Sequence, residues 1–307
     1  MSHSIDVGVI NAVVNPTIFR EYIGVKDYPA NFTFPTKIIN GKIHNFQFIL
    51  GIATEDLDDD KKGTGNFQRT WDYDNLGADQ VKSLKDTHPK VKVIISIGGR
   101  GLELAFNPAE KDKWIEKATE TIKDIISDYT DDSYNSSCGC DVIIDGIDIN
   151  YEYVSSSPAD FAYCIGKLIT NVKDVFPRNH FISIAPSKDS SPHYKRLYQE
   201  VTADIDFVDY QFYNEKVASK DDFVKLFREQ SKVYDIKKLL AGYSTDSNDA
   251  HGEMTEQVFI EGCKELVKKK LIYGVFLWNA NDSAVPVSND EPFFLEGLVQ
   301  KILTNSD

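Results

Sequence analysis

Short apolar runs alternate along this chain with longer stretches whose apolar residues recur every three to four positions. The first pattern predicts buried strands and the second predicts amphipathic helices. Eight runs qualify as strands: Ile18 to Val25, His44 to Ala53, Val91 to Ile97, Val142 to Glu152, Phe181 to Ser187, Ile205 to Tyr213, Lys238 to Tyr243 and Tyr273 to Asn279. The segments between them carry helix start signals. Asn107, Pro108 and Glu110 offer an N-cap, a first-turn proline and an acid at the positive end of the helix dipole. Ser157, Pro158 and Asp160 repeat the device, and Ser219 with Asp222 opens another helix. From Met254 onward, Val258, Phe259, Cys263 and Leu266 fall on one helical face, and a last helix begins near Pro292. This alternation, unbroken by any linker, predicts an α/β fold, a single (β/α)8 TIM barrel over residues 1–307 with residues 1–16 as an N-terminal extension. An open doubly wound sheet is the alternative, but it would carry fewer strands and a phosphate loop, and no GxGxxG or P-loop is present. Glu55 to Gly65 and Tyr129 to Gly139, rich in Asp, Ser, Asn and Gly, read as loops.

The fourth strand holds the densest chemistry. In Asp141 to Tyr153, Asp148, Asn150 and Glu152 alternate with Ile147, Ile149 and Tyr151, so the three polar side chains share one face. The preceding Val142, Ile143 and Ile144 suit a strand covered on both sides. Acids at the end of such a strand are costly to bury without partners, which predicts that they line a pocket. Polar plugs in a barrel core, satisfied by their neighbours, are the alternative.

Charge narrows the partners. The chain has 34 Lys plus Arg against 48 Asp plus Glu, a net charge of −14, which disfavours nucleic acid and anionic membrane. No segment approaches the roughly 20 apolar residues of a membrane span. The N-terminus lacks the basic region of a secretory signal, so a cytosolic protein is expected. The four cysteines, Cys138, Cys140, Cys164 and Cys263, are too few for a disulfide framework and are read as free thiols, with a Cys138–Cys140 pair the lesser option. The DLDDD run at 56–60 lacks the glycine and closing glutamate of a calcium loop and reads as a solvated charge run. No metal and no cofactor are expected, and a monomer is.

A (β/α)8 barrel builds its site at the C-terminal ends of its strands. The proposed strands bring Arg100, Asp148, Asn150, Glu152, Tyr213, Asn214 and Trp278 there. Rings, an amide and a carboxylate converging on one mouth suit a sugar, held by stacking and hydrogen bonds. Singly, each has a structural reading, Trp278 as a barrel plug and Tyr213 as a core residue.

DGIDINYE at 145–152 resembles the DGxDxDxE signature of the family 18 glycoside hydrolases. SIGG at 96–99, AP at 185–186, QFYN at 211–214 and LW at 277–278 match other strand-end motifs of that family. The resemblance runs from about residue 17 to the C-terminus; FREYIGVK, VKVIISIGGRG and GVFLWNANDS are similar to a plant seed-protein branch regarded as non-enzymatic. It implies a (β/α)8 barrel related to enzymes that cleave N-acetylglucosamine polymers. In those enzymes the signature glutamate protonates the glycosidic oxygen and the substrate's own acetamide attacks, an exception to the two-carboxylate scheme. The glutamate maps to Glu152 and Asp148 is kept, but the position that orients the acetamide and balances the oxazolinium charge holds Asn150.

Arg100 stands where the plant enzymes carry a small residue. Two consequences are expected. An Arg100–Glu152 ion pair would lower the acid's pKa by about 1–3 units and fill the sugar's space. Binding contacts would fall to Asp148, Asn150, Tyr213, Asn214 and Trp278. The expectation is a catalytically inactive chitinase-like plant protein serving storage or interaction with an unidentified protein partner. The alternative is an oligosaccharide-binding protein or weak hydrolase, which an open cleft lined by Trp278 and Tyr213 would favour.

Overall fold

Eight parallel strands close on themselves in the computed structural model, which describes residues 18–130, 142–176, 180–249, 253–286 and 291–304. They are β1 (Ile18–Ile23), β2 (Asn45–Leu57), β4 (Lys92–Gly99), β5 (Gly146–Tyr151), β6 (Phe181–Ile184), β7 (Phe207–Tyr210), β8 (Leu239–Ser244) and β9 (Gly274–Trp278). Each pairs in parallel with the next, and β9 pairs back onto β1, so the ring leaves no open edge. β3 (Gly63–Gln68) lies outside the ring, antiparallel to the overhanging end of β2. The helices cover the outside, as a parallel sheet requires. The N-terminal extension and Cys138 and Cys140 fall outside the described residues. Cys164 and Cys263 are buried free thiols.

Three local expectations are corrected. The segment 55–65 is no plain loop, because β2 runs on to Leu57 and β3 starts at Gly63. The buried carboxylate of Glu55 holds that hairpin to the barrel. It accepts from Gly65 N (2.9 Å), Trp114 Nε1 (2.7 Å) and Tyr151 OH (2.9 Å). Asn107 is not an N-cap: Pro108 bridges to Gly63, and the helix Lys111–Ser127 begins after Glu110. The Met254 helix starts at Glu256, capped by the Thr255 hydroxyl. The Ser157 and Ser219 hydroxyls accept from Asp160 N and Asp222 N, as their sequences predict.

Polar side chains occupy the barrel axis. On β1, Arg20 and Tyr22 point inward, while Glu21 points out to the helix layer. Arg20 is fully buried, paired with Asp209 and bonded to Ser183 Oγ (2.8 Å). The C-terminal helix Phe294–Thr304 packs against β9 and the helix Glu256–Lys268, with Leu295, Val299 and Leu303 buried, and brings Glu296 towards Glu21. Both glutamates are fully buried; neither carboxyl oxygen of Glu21 meets a hydrogen-bond partner, and Glu296 has only the weak help of Ser283 and its own backbone N–H. Burial pushes Glu21 well above the glutamate range, helped by the charge of Glu296. Burial likewise lifts Glu296 to about 7.

Candidate active site

Close approach of β4 and β5 sets the site's geometry. Gly98 sits at φ 143°, and a Cβ there would lie 2.2 Å from the Asn150 carbonyl oxygen. Only glycine permits that contact. The ladder pairs Ser96 with Asp148 and Gly98 with Asn150, and Glu152 N donates to Gly99 O (3.1 Å). Asp148 and Asn150 therefore point into the barrel, with Glu152 above them at the mouth. Tyr151 turns outward, edge-on to Phe106 and Phe161.

The acids do not all line a pocket. Asp148 is fully buried and accepts from Tyr22 OH (2.7 Å), Ser96 Oγ (2.8 Å) and Ser183 Oγ (2.7 Å). It is a satisfied core group, the alternative weighed for this strand. Asn150 is buried, and its Oδ1 accepts a long bond from Gln211 Nε2 (3.4 Å). Asn214 is exposed and donates to Gln211 Oε1 (2.8 Å). Tyr213 is buried, edge-on to Phe276, with the charges of Asp249 and Glu152 acting on its phenol.

Arg100 and Glu152 meet, Nε to Oε1, at 3.2 Å. The guanidinium does more than that. Nη2 donates to Asp249 Oδ1 (2.6 Å), Nη1 lies 3.7 Å from Asp246 Oδ2, and Cζ sits 4.9 Å from the centre of the Trp278 ring. Lys26 extends the network, 2.7 Å from Asp246 and 3.0 Å from Asp282, and Tyr28 also bonds Asp282. Loops after β1, β4, β5, β8 and β9 are thereby joined across the mouth. Trp278 lies beneath, 3 % exposed, its indole N–H buried without an acceptor.

The expected fall in the Glu152 pKa does not occur. Burial raises it above the glutamate range, Arg100 pulls it back without cancelling the rise, and Asp249 adds to it. Burial of the acid outweighs a guanidinium that is itself shared among three carboxylates. Lys26, Asp246 and Asp249 were also not foreseen. The only trace in the sequence is a pair of acids in STDSND, just past the eighth strand.

The comparisons with known proteins accord with this geometry. Residues 45–275 match the model for glycosyl hydrolases family 18. The chain belongs to that family. It is 35 % identical over 277 residues to Chitinase 1 of Tulipa saxatilis subsp. bakeri, covering 87 % of this chain and 81 % of that one. It is 26 % identical to the RuBisCO-associated protein of Glycine max, covering 73 % and 79 %. Among solved structures, the family 18 chitinase of Crocus vernus superposes with a TM-score of 0.78 at 29 % identity, covering 94 % of this chain and all of that one. Among the described residues, no group of three or more His, Cys, Asp or Glu could hold a metal ion, and no helix is long and apolar enough to cross a membrane.

Proposed function

We propose that this family 18 protein does not hydrolyse chitin, resembles narbonin, and serves storage or interaction with a protein partner. The observation that carries this reading is the position of Arg100. Its guanidinium lies over Trp278 and against Glu152, where a sugar would have to stack and present its glycosidic oxygen. Burial offsets the pull of Arg100 on the pKa of Glu152, so a depressed pKa is not what silences Glu152. It lacks access to a substrate. Asn150 supplies a second deficit: an amide accepts a hydrogen bond from an acetamide N–H, but it cannot balance a developing oxazolinium charge. The likeness to a RuBisCO-associated protein supports the same reading, because that relative is named for an association.

Incubating the wild type and Glu152→Gln with the N-acetylglucosamine tetramer, followed by product chromatography, tests it. No product is expected from either protein. Turnover by the wild type that Glu152→Gln abolishes would refute the reading. The unpartnered Trp278 N–H favours a second one, in which the mouth still binds a sugar without cleaving it.

A further inference from the structure

We infer that the barrel mouth is a seat for a cationic amino sugar, an oligomer of glucosamine with free ammonium groups, in which Arg100 stands as an internal occupant. This rests on the reading that Arg100 fills the sugar's place. Three observations lead to it. First, the seat is built for positive charge: the guanidinium faces the Trp278 ring, and Glu152, Asp249 and Asp246 lie at 3.2, 2.6 and 3.7 Å. An aromatic face with carboxylates at its rim is favourable for a cation. Second, the ionic chain across the mouth sets four acids, Glu152, Asp246, Asp249 and Asp282, against two cations, Lys26 and Arg100. Third, the buried Trp278 N–H has no acceptor, and a sugar hydroxyl supplies one.

Displacing Arg100 with a neutral N-acetyl sugar would strand these carboxylates in a half-buried site. Leaving one partner of such a pair unmatched is the costly outcome. An ammonium group in the same place restores the balance. The Arg100 side chain is 36 % exposed, so it can swing out without opening the core. The ligand that fits is therefore the deacetylated sugar, and the wild type holds it only in competition with its own arginine.

Tryptophan fluorescence titration, in buffer of physiological ionic strength and mildly acidic pH where the amines are charged, provides the test. The probes are the glucosamine tetramer and the N-acetylglucosamine tetramer. The proteins are the wild type, Arg100→Ala and Arg100→Gln, the last keeping an aliphatic stem over Trp278 so that folding does not hang on the ion pairs. Both variants should bind the glucosamine tetramer at least about tenfold more tightly than the wild type does, and by a similar margin over the acetylated tetramer. Adding Asp249→Asn to Arg100→Gln should remove most of that gain. Equal or tighter binding of the acetylated tetramer overturns the inference. So does indifference to Asp249, which would mean attraction to the acidic surface at large. Hydrolysis of the acetylated tetramer by the wild type would instead overturn the proposed function, so the two failures are distinguishable.

Discussion

Glu296 makes the stability of this protein depend on pH in a direction that can be worked out. Its folded pKa is about 7, against an ordinary 4.5, because burial penalises the charged form. Between those values the folded state keeps a proton that the unfolded chain has given up. Stability from this group is therefore greatest in acid, falls as pH rises from 4.5, and levels off above about 7. At 1.36 kcal/mol per unit, the full cost is about 3 kcal/mol, of which about 2 kcal/mol is incurred between pH 5.5 and 8.5. Glu296→Gln keeps the shape and removes the charge. Urea unfolding of both proteins across that range, clear of the isoelectric point, should show the variant gaining on the wild type by about 2 kcal/mol as pH rises. Glu21 contributes its own rising cost in both proteins, and Glu296→Gln also relieves the repulsion on Glu21, so the difference reports Glu296 together with its coupling to Glu21. A difference that stays constant with pH, or shrinks, would refute the argument that burial of this carboxyl outweighs the help it receives from Ser283 and the backbone.

Removing Arg100 should cost about 1 kcal/mol in urea unfolding rather than the several expected of a fully buried pair, because its side chain is 36 % exposed and solvent screens the pairs. Glu55→Ala should cost about 3 kcal/mol or more by the same measurement, since three donors lose one acceptor and a cavity remains. Asn150→Asp and Arg100→Gly should each leave the acetylated tetramer uncut in the chromatographic assay. Only the double variant has both an open seat and a counter-charge, and groups that act as a unit are not additive. Turnover by either single variant would show that one of the two deficits is unimportant.

The strands of the ring were legible because both faces of each are covered, which writes continuous apolar runs into the sequence. Their positions came out within a few residues, except that the fourth begins only at Gly146, after the run Val142, Ile143 and Ile144, whose first two residues are only half-buried. The inward face of Asp148, Asn150 and Glu152 followed from period two. β3 was not legible. KGTGNFQ has little strand character of its own, and it is extended because β2 overhangs the barrel and Glu55 anchors its Gly65. The meeting of Arg100 with Glu152 could be anticipated, since the ends of adjacent parallel strands lie side by side. The other partners of Arg100 could not, because the loop after β8 is separated from it by nearly 150 residues of chain. Nor could the balance between burial and attraction at Glu152, which depends on depth and not on neighbours in the sequence.

The ionic chain across the mouth has a mechanical consequence. In most barrels of this kind the loops at the strand ends are the softest part of the molecule, where chemistry and variation concentrate. Here Tyr28, Asp282, Lys26, Asp246, Arg100, Asp249 and Glu152 run on from one loop to the next, so moving one loop pulls on four others. A protease that needs an extended, detached strand of substrate finds none offered singly at this rim, and freeing one means loosening the whole hoop. The strand-end face of this barrel is fastened like a drawstring.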